Sequence, residues 1–106
     1  MAVKSGYKVL GLQRQSLLAP VPMVYPADQW VSKKEACGPL AVFAEYCDAA
    51  SYIMPYLDKW AQIHKCEFVE SKEHGLYCRD EHGNTFEQYS ELPSGTLFAD
   101  HVKCLD

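Results

Sequence analysis

The sequence predicts an α+β domain: a mostly antiparallel sheet of about five or six short strands with one main helix packed on one face. Three observations lead to this class. Residues 45–53 have helical spacing of their small and apolar side chains, a turn-rich cluster at 80–84 separates two β-type runs, and the other apolar runs are short. The 106 residues fit one domain spanning 1–106, because domains typically hold about 100 to 150 residues.

The N-terminal third is expected to be extended. Tyr7–Leu12 consists of β-type residues with apolar side chains on both faces, which predicts a central strand. Ser16–Val24 contains Pro20 and Pro22, which lack backbone donors, so an edge strand or an extended loop is expected there. A turn then leads into a short extended piece around Trp30.

The middle of the chain carries the predicted helix. Leu40–Phe43 is a compact apolar run, short enough for a buried strand. Across 45–53, apolar residues recur at helical spacing and acidic residues fall in the first turn, where they complement the helix dipole. Pro55 is expected to end the helix, and the pattern of Trp60–Val69 is again that of an extended segment.

The C-terminal third predicts a hairpin and a last strand. Gly75–Arg79 and Thr85–Tyr89 flank a turn in which Gly83 or Asn84 takes a positive φ at little cost. Thr96–Cys104 follows another turn and is expected to be a strand.

Bulk properties indicate a cytoplasmic protein, or one whose secretory signal has been removed. The sequence contains no run of 18 or more apolar residues, and its first residues lack the apolar region of a secretory signal. An odd number of cysteines at irregular spacing is unlike a secreted disulfide scaffold, so all five are expected to be reduced: Cys37, Cys47, Cys66, Cys78 and Cys104.

Charge is unevenly distributed along the chain. Residues 1–34 have five basic groups against Asp28, a balance of +4, whereas residues 35–106 have five basic groups against thirteen acids, a balance of −8. Direct binding of nucleic acid through a basic stripe is therefore not expected. The stretch 67–91, with a balance of −5, is either a solvated face or an acidic surface that steers a basic protein partner.

Aromatic residues add a second indication of an interface. Seven tyrosines in 106 residues are many, and Tyr and Trp favour surfaces with one apolar and one wet side. The candidate partner-binding residues combine both features: Tyr25, Trp30, Glu73, Asp80, Glu81 and Glu87.

Catalytic and metal motifs are weak. A Gly-rich phosphate loop, a Gly-x-Ser-x-Gly elbow and a His-Glu-x-x-His helix do not occur in the sequence, so no catalytic residue is assigned. Cys37, which precedes Gly38 near Lys33 and Lys34, is a candidate thiol nucleophile. The histidines and cysteines of the C-terminal half include zinc-ligand types, but their spacing favours surface histidines and buried cysteines, and no metal or cofactor is expected.

Two resemblances extend this interpretation. Tyr25–Val31, Cys37–Phe43 and Ala49 together resemble a strand–helix pattern in small uncharacterised proteins of phage and prokaryotic origin, which implies a compact domain of phage or mobile-element type and no particular activity. The same pattern is similar to small ADP-ribosyltransferase-like domains, which implies roles for Arg14, Ser16 and Glu87 around a nicotinamide dinucleotide.

The leading functional hypothesis is a small protein-binding or inhibitory module, phage-encoded and directed at a host protein, that acts through an acidic and aromatic surface. The alternatives are a small ADP-ribosyltransferase-like or thiol enzyme and a self-associating structural protein.

Overall fold

The computed structural model describes residues 2–18, 23–34, 37–54, 61–73, 75–79, 81–87 and 92–105. These ranges contain seven strands and one helix, in the order β1 (Lys4–Gly11), β2 (Trp30–Ser32), β3 (Leu40–Phe43), α1 (Tyr46–Ile53), β4 (Ala61–Glu70), β5 (Tyr77–Arg79), β6 (Thr85–Glu87) and β7 (Thr96–Cys104). An α+β chain of mostly antiparallel strands with one short helix is confirmed, with more strands than the five or six expected.

Four of the strands close into a small barrel. β1 pairs with β3 on one side and with β4 on the other, and β7 pairs with both β3 and β4, so the ring runs β3–β1–β4–β7 and back to β3. β2 extends the sheet along the edge of β7 that β3 also uses. Because a closed ring removes open strand edges, four short strands can satisfy their backbone groups by pairing with one another.

The interior of the ring contains one hydrophobic cluster. Gly6 faces this interior, where a β-carbon would come within 2.7 Å of the Phe43 carbonyl oxygen and 2.9 Å of Phe68 Cε1. The absence of a side chain at Gly6 therefore permits β1 to approach β3 and Phe68 closely. The cluster consists of Leu10, Tyr25, Leu40, Val42, Cys66, Phe68, Ala99, Val102 and Cys104.

Lys8 also lies in this interior and is fully buried. Its Nζ donates a hydrogen bond to the Ala41 carbonyl oxygen at 2.6 Å and stands 4.8 Å from the centre of the Tyr25 ring. Burial lowers the pKa of Lys8 to about 8, since a low dielectric disfavours the charged ammonium. A carbonyl dipole and an aromatic face thus replace part of the water that a lysine normally has.

The outer side of the ring contains a second cluster, which includes the helix. Ala49 and Ile53 of α1 are buried together with Val9, Ala41 and Phe43, residues that alternate along β1 and β3 with those facing the interior. Glu45 occupies the N-cap position with extended dihedrals, next to the predicted start of the helix. The described part of the chain includes no helix of the length and apolarity that a membrane crossing requires.

The predicted hairpin is confirmed as a separate two-stranded sheet of β5 and β6, with Gly83 at a φ of 83° in its turn. It meets the rest of the protein at an isolated antiparallel bridge between Cys78 and Cys37. Several sequence features lie outside the described residues, namely Pro20, Pro22, Pro55, Trp60, His74, Asp80, Tyr89 and Glu91.

Candidate functional site

The outer surface of β2, β7 and β4 aligns its side chains in two rows. Strand register places one residue from each strand side by side, and the residues between these rows face the barrel interior. We call the two outward rows the Trp30 face, and it consists of Trp30, Lys103 and Glu67 in the first row and Ser32, His101 and Val69 in the second.

Trp30 is the dominant side chain of this face. It remains 46 % exposed although it lies on a strand, and the Lys103 Nζ stands 5.5 Å from the centre of its ring. The same Nζ forms an ion pair with Glu67 Oε1 at 3.4 Å. A cation held over one part of the ring leaves an amphipathic aromatic surface facing solvent.

An open depression of about 410 Å³ lies beside this tryptophan. Val3, itself 50 % exposed, and Val69 provide apolar walls, and His101 provides a polar one. The His101 ring is held by a hydrogen-bond contact of 2.8 Å between its Nδ1 and Ser32 Oγ. The depression therefore combines apolar walls with a positioned polar group, as ligand and partner surfaces commonly do.

A cluster of charged groups borders the Trp30 face at a β-bulge. Val69 pairs with His101 but Glu70 pairs with Ala99, so Asp100 is an extra residue in β7. The bulge falls where β7 changes partner from β3 to β2, and the Lys33 backbone N–H donates to the Asp100 carbonyl oxygen at 3.0 Å. The bulge thereby places the side chain of Asp100 beside that of Lys33.

Lys33 is the centre of this cluster, which we call the Lys33 cluster and which consists of Lys33, Glu73, Tyr77 and Asp100. The Lys33 Nζ lies 2.9 Å from Glu73 Oε2 and 3.3 Å from Asp100 Oδ1. The Tyr77 hydroxyl donates to the other Glu73 oxygen at 2.9 Å. A second depression of about 620 Å³ is lined by the three charged residues and by Val69, so the cluster and the Trp30 face are contiguous.

These contacts shift the titration of the cluster in consistent directions. The hydrogen bonds from Lys33 and Tyr77 lower the pKa of Glu73, because they favour the charged carboxylate. The bond to Glu73 is the main cause that raises the pKa of Lys33, and it also raises the pKa of Tyr77. These directions favour a charged Lys33 ammonium and a charged Glu73 carboxylate, with the proton of the Tyr77 phenol retained.

The acidic stretch predicted from the sequence is largely paired in its first part. Glu67 pairs with Lys103, Glu70 with Lys4 at 3.1 Å, and Glu73 with Lys33. The basic residues come from distant parts of the chain, including the basic N-terminal third. The surface around Trp30 thus carries alternating charges rather than a field of one sign.

The structure separates the predicted partner-binding residues. Trp30 and Glu73 lie on the Trp30 face and in the adjacent cluster, and Glu81 is exposed in the turn between β5 and β6. Tyr25, in contrast, is fully buried in the barrel interior, where its ring packs against Lys8 and offers no surface to a partner. Asp80 lies outside the described residues, and the backbone of Glu87 pairs with Tyr77.

Sequence reasoning missed Val3, His101 and Lys103 as members of this surface. His101 and Lys103 are two residues apart and therefore share one face of the predicted last strand, but no local signal in the sequence encodes the pairing of that strand with β2 and β4, which places them beside Trp30 and Glu67. The other chemical candidates are not assembled: Arg14 donates from Nε to the Tyr25 carbonyl oxygen and Ser16 Oγ accepts from the Met23 N–H, while Glu87 belongs to the separate β5–β6 sheet. Among the residues that the structure describes, no three His, Cys, Asp or Glu side chains form a metal-binding group.

Comparison of the chain with protein-family models, with curated proteins and with solved structures gives no match.

Proposed function

We propose that the protein is a small protein-binding or inhibitory module whose contact surface is the Trp30 face together with the Lys33 cluster. The exposed Trp30 beside an apolar depression is the observation that carries this proposal. Binding energy in protein interfaces concentrates in a few aromatic and Arg residues at the centre, with a polar rim around them. Here Trp30 supplies the aromatic centre, and the ion pairs of Lys103 and Lys33 supply the rim.

The architecture supports this choice of surface. The second hydrophobic cluster, with α1, covers the side of the ring formed by Val9 and Ala41, and α1 has no part in the two rows around Trp30. β2 is also an edge strand, paired with β7 on one side, so its backbone adds hydrogen-bonding groups next to Trp30.

The charge pattern favours a partner of mixed charge with an apolar anchor. Because Glu67, Glu70 and Glu73 are paired with lysines, the excess negative charge available to steer a basic partner comes from acids such as Glu81 in the β5–β6 turn. We infer that orientation by charge is a secondary contribution and that Trp30 provides most of the affinity.

The test is affinity capture from a lysate of the source cell, or of its host if the source is a phage, with the wild-type chain and two variants. Trp30→Ala removes the anchor, and Tyr46→Ala removes a comparably exposed aromatic side chain from α1. We expect a protein that the wild type and Tyr46→Ala retain and that Trp30→Ala loses by at least about tenfold, the typical cost of an interface anchor. Circular dichroism shows whether the variants remain folded.

Equal retention by folded Trp30→Ala would exclude the Trp30 face as the contact surface. The Trp30 face could also bind a second copy of the chain, and this possibility has to be excluded. Light scattering tests it by measuring the mass in solution at several protein concentrations. A mass that doubles with concentration in the wild type but not in Trp30→Ala would identify self-association instead of binding to another protein.

A further inference from the structure

Cys37 and Cys78 form a cross-strand pair at the junction between the β5–β6 hairpin and the barrel. They are the partners of the isolated antiparallel bridge, and the Gly38 N–H donates to the Tyr77 carbonyl oxygen at 2.8 Å. A bond between the residue after one partner and the residue before the other is the pattern of a non-hydrogen-bonded pair, in which opposing side chains are closest. The two sulfur atoms accordingly lie 2.9 Å apart in hydrogen-bond contact.

Non-hydrogen-bonded antiparallel pairs have α-carbons about 4.5 Å apart, within the range that a disulfide requires. Both thiols are partly exposed, so a dissolved oxidant can reach them. Cys66 and Cys104 are also register partners, but both are fully buried in the barrel. Cys47 is exposed on α1. The five cysteines thus divide into an accessible pair, a buried pair and one exposed thiol.

We propose that Cys37 and Cys78 are a redox modification site, which a small-molecule disulfide such as oxidised glutathione converts reversibly into an intrachain disulfide. The reaction consists of two exchange steps. The Cys37 thiolate attacks one sulfur of the oxidant, forming a mixed disulfide and releasing the first thiolate. Cys78 then attacks the Cys37 sulfur and releases the second. The protein loses two protons and two electrons, and the oxidant becomes two thiol molecules.

The surroundings of Cys78 support this order of attack. Burial first, and then the hydrogen bond and charge of Cys37, raise the pKa of Cys78 to about 11, so Cys78 is protonated at neutral pH and is the less reactive thiol in the first step. Once Cys37 is in a mixed disulfide it has neither a proton nor a charge. The hydrogen bond and the charge of Cys37, which helped to hold the proton on Cys78, are then absent. Cys78 therefore loses its proton more easily and can attack the Cys37 sulfur.

Oxidation would tie the hairpin to the loop before β3. Tyr77 packs against Gly38, where an added β-carbon would overlap the Tyr77 ring, so the ring position depends on this junction. Through its hydroxyl, Tyr77 also holds Glu73 of the Lys33 cluster. The disulfide would therefore fix one edge of the charged cluster without adding a contact to it.

The experiment equilibrates the full chain in buffers of oxidised and reduced glutathione, quenches by alkylation and maps the peptides by mass spectrometry. We expect a peptide pair joined through Cys37 and Cys78, fully reversed by excess reduced glutathione. Cys47→Ser should give the same pair, because Cys47 is not part of it. The oxidised protein should melt roughly 10 °C higher, since a closed loop restricts the unfolded chain.

Cys66 and Cys104 are the internal control, because they alkylate only after denaturation if the protein stays folded. In Cys37→Ser or Cys78→Ser the remaining thiol should accumulate as a stable mixed disulfide with glutathione. Mixed disulfides at both Cys37 and Cys78 in the wild type, a link to any other cysteine, or complete alkylation of both in the oxidising buffer would each overturn the proposal. None of these outcomes depends on a binding partner, so they are independent of the proposed function.

Discussion

The Lys8 ammonium lies 2.6 Å from the Ala41 carbonyl oxygen, inside a barrel whose other interior side chains are mainly apolar. The backbones of β1 and β3 pair at Tyr7 and Phe43. The hydrogen bond from the Lys8 side chain to Ala41 is a second link between the same two strands. The lysine is thus part of the ring closure, although burial makes its charge unfavourable.

Stability should depend on pH through Lys8. Its folded pKa of about 8 lies below the ordinary 10.5, so between these values the unfolded chain binds more protons and stability rises with pH. Relative to Lys8→Met, the wild type should gain roughly 3 kcal/mol from pH 7 to 10.5. Urea unfolding at a series of pH values measures this difference.

Two other buried groups titrate at high pH, and they do so in both proteins. Burial raises the pKa of Cys66 to about 12 and also raises the pKa of Tyr25, so both groups lower stability at high pH in the wild type and in Lys8→Met. A difference that is constant with pH would contradict the charged, buried state of Lys8.

Substitution at Gly6 should weaken the closed ring. In Gly6→Ala the new methyl group meets the Phe43 carbonyl oxygen and the Phe68 ring, both at less than 3 Å. We expect a loss of about 1–3 kcal/mol in the free energy of unfolding, the usual cost of overpacking. Ser5→Ala, at an exposed position of the same strand, is the matched control and should change little. Equal stabilities of the two variants would mean that β1 does not approach β3 so closely.

The Lys33 cluster predicts a specific titration. Its hydrogen bond to Lys33 holds the pKa of Glu73 below the ordinary value, so Lys33→Gln should raise that pKa towards 4.5. Carbon NMR of the side-chain carboxyl group measures it directly. Lys4→Gln, which removes the partner of Glu70 instead, should leave the Glu73 titration unchanged. A Glu73 pKa that is the same in wild type and Lys33→Gln would show that the pair does not form in solution.

Charge reversal tests how much the acidic residues steer a partner. With the protein captured through Trp30, Glu73→Lys and Glu81→Lys should slow association and flatten its dependence on salt. Glu45→Lys, at an exposed position before α1, provides the same change of net charge elsewhere. Stopped-flow measurement of the association rate at several salt concentrations separates the effect of net charge from that of a local acidic surface. If all three variants associate alike, net charge and not a local acidic surface determines the rate.

Local sequence signals predicted most of the elements but not their assembly. The helix at 45–53, the buried run Leu40–Phe43, the hairpin turn at Gly83 and the last strand at 96–104 all depend on neighbouring residues, and all are found. Closure of the sheet depends on β7 pairing with the two strands that begin at residues 40 and 61, and no local pattern encodes such pairings.

For the candidate surface, too, local sequence signals predicted single residues but not their long-range partners. Trp30 was recognised because Tyr and Trp favour surfaces with one apolar and one wet side, and Glu73 because it belongs to an acidic stretch. The lysines that neutralise this stretch come from positions up to 66 residues away, so the sequence alone overstated its charge. Tyr25 was predicted at the surface with the other aromatic candidates, whereas the structure buries it in the barrel interior beside Lys8.

The double pairing of β7 also affects the order of events during synthesis. A nascent chain that has reached residue 95 has made β1, β3 and β4, yet the strand that joins β3 to β4 is still missing. Until β7 leaves the ribosome, the apolar interior of β1 and β3 stays open to water and to other chains. The ring therefore closes late, and a stalled or truncated chain would be exposed to aggregation or proteolysis.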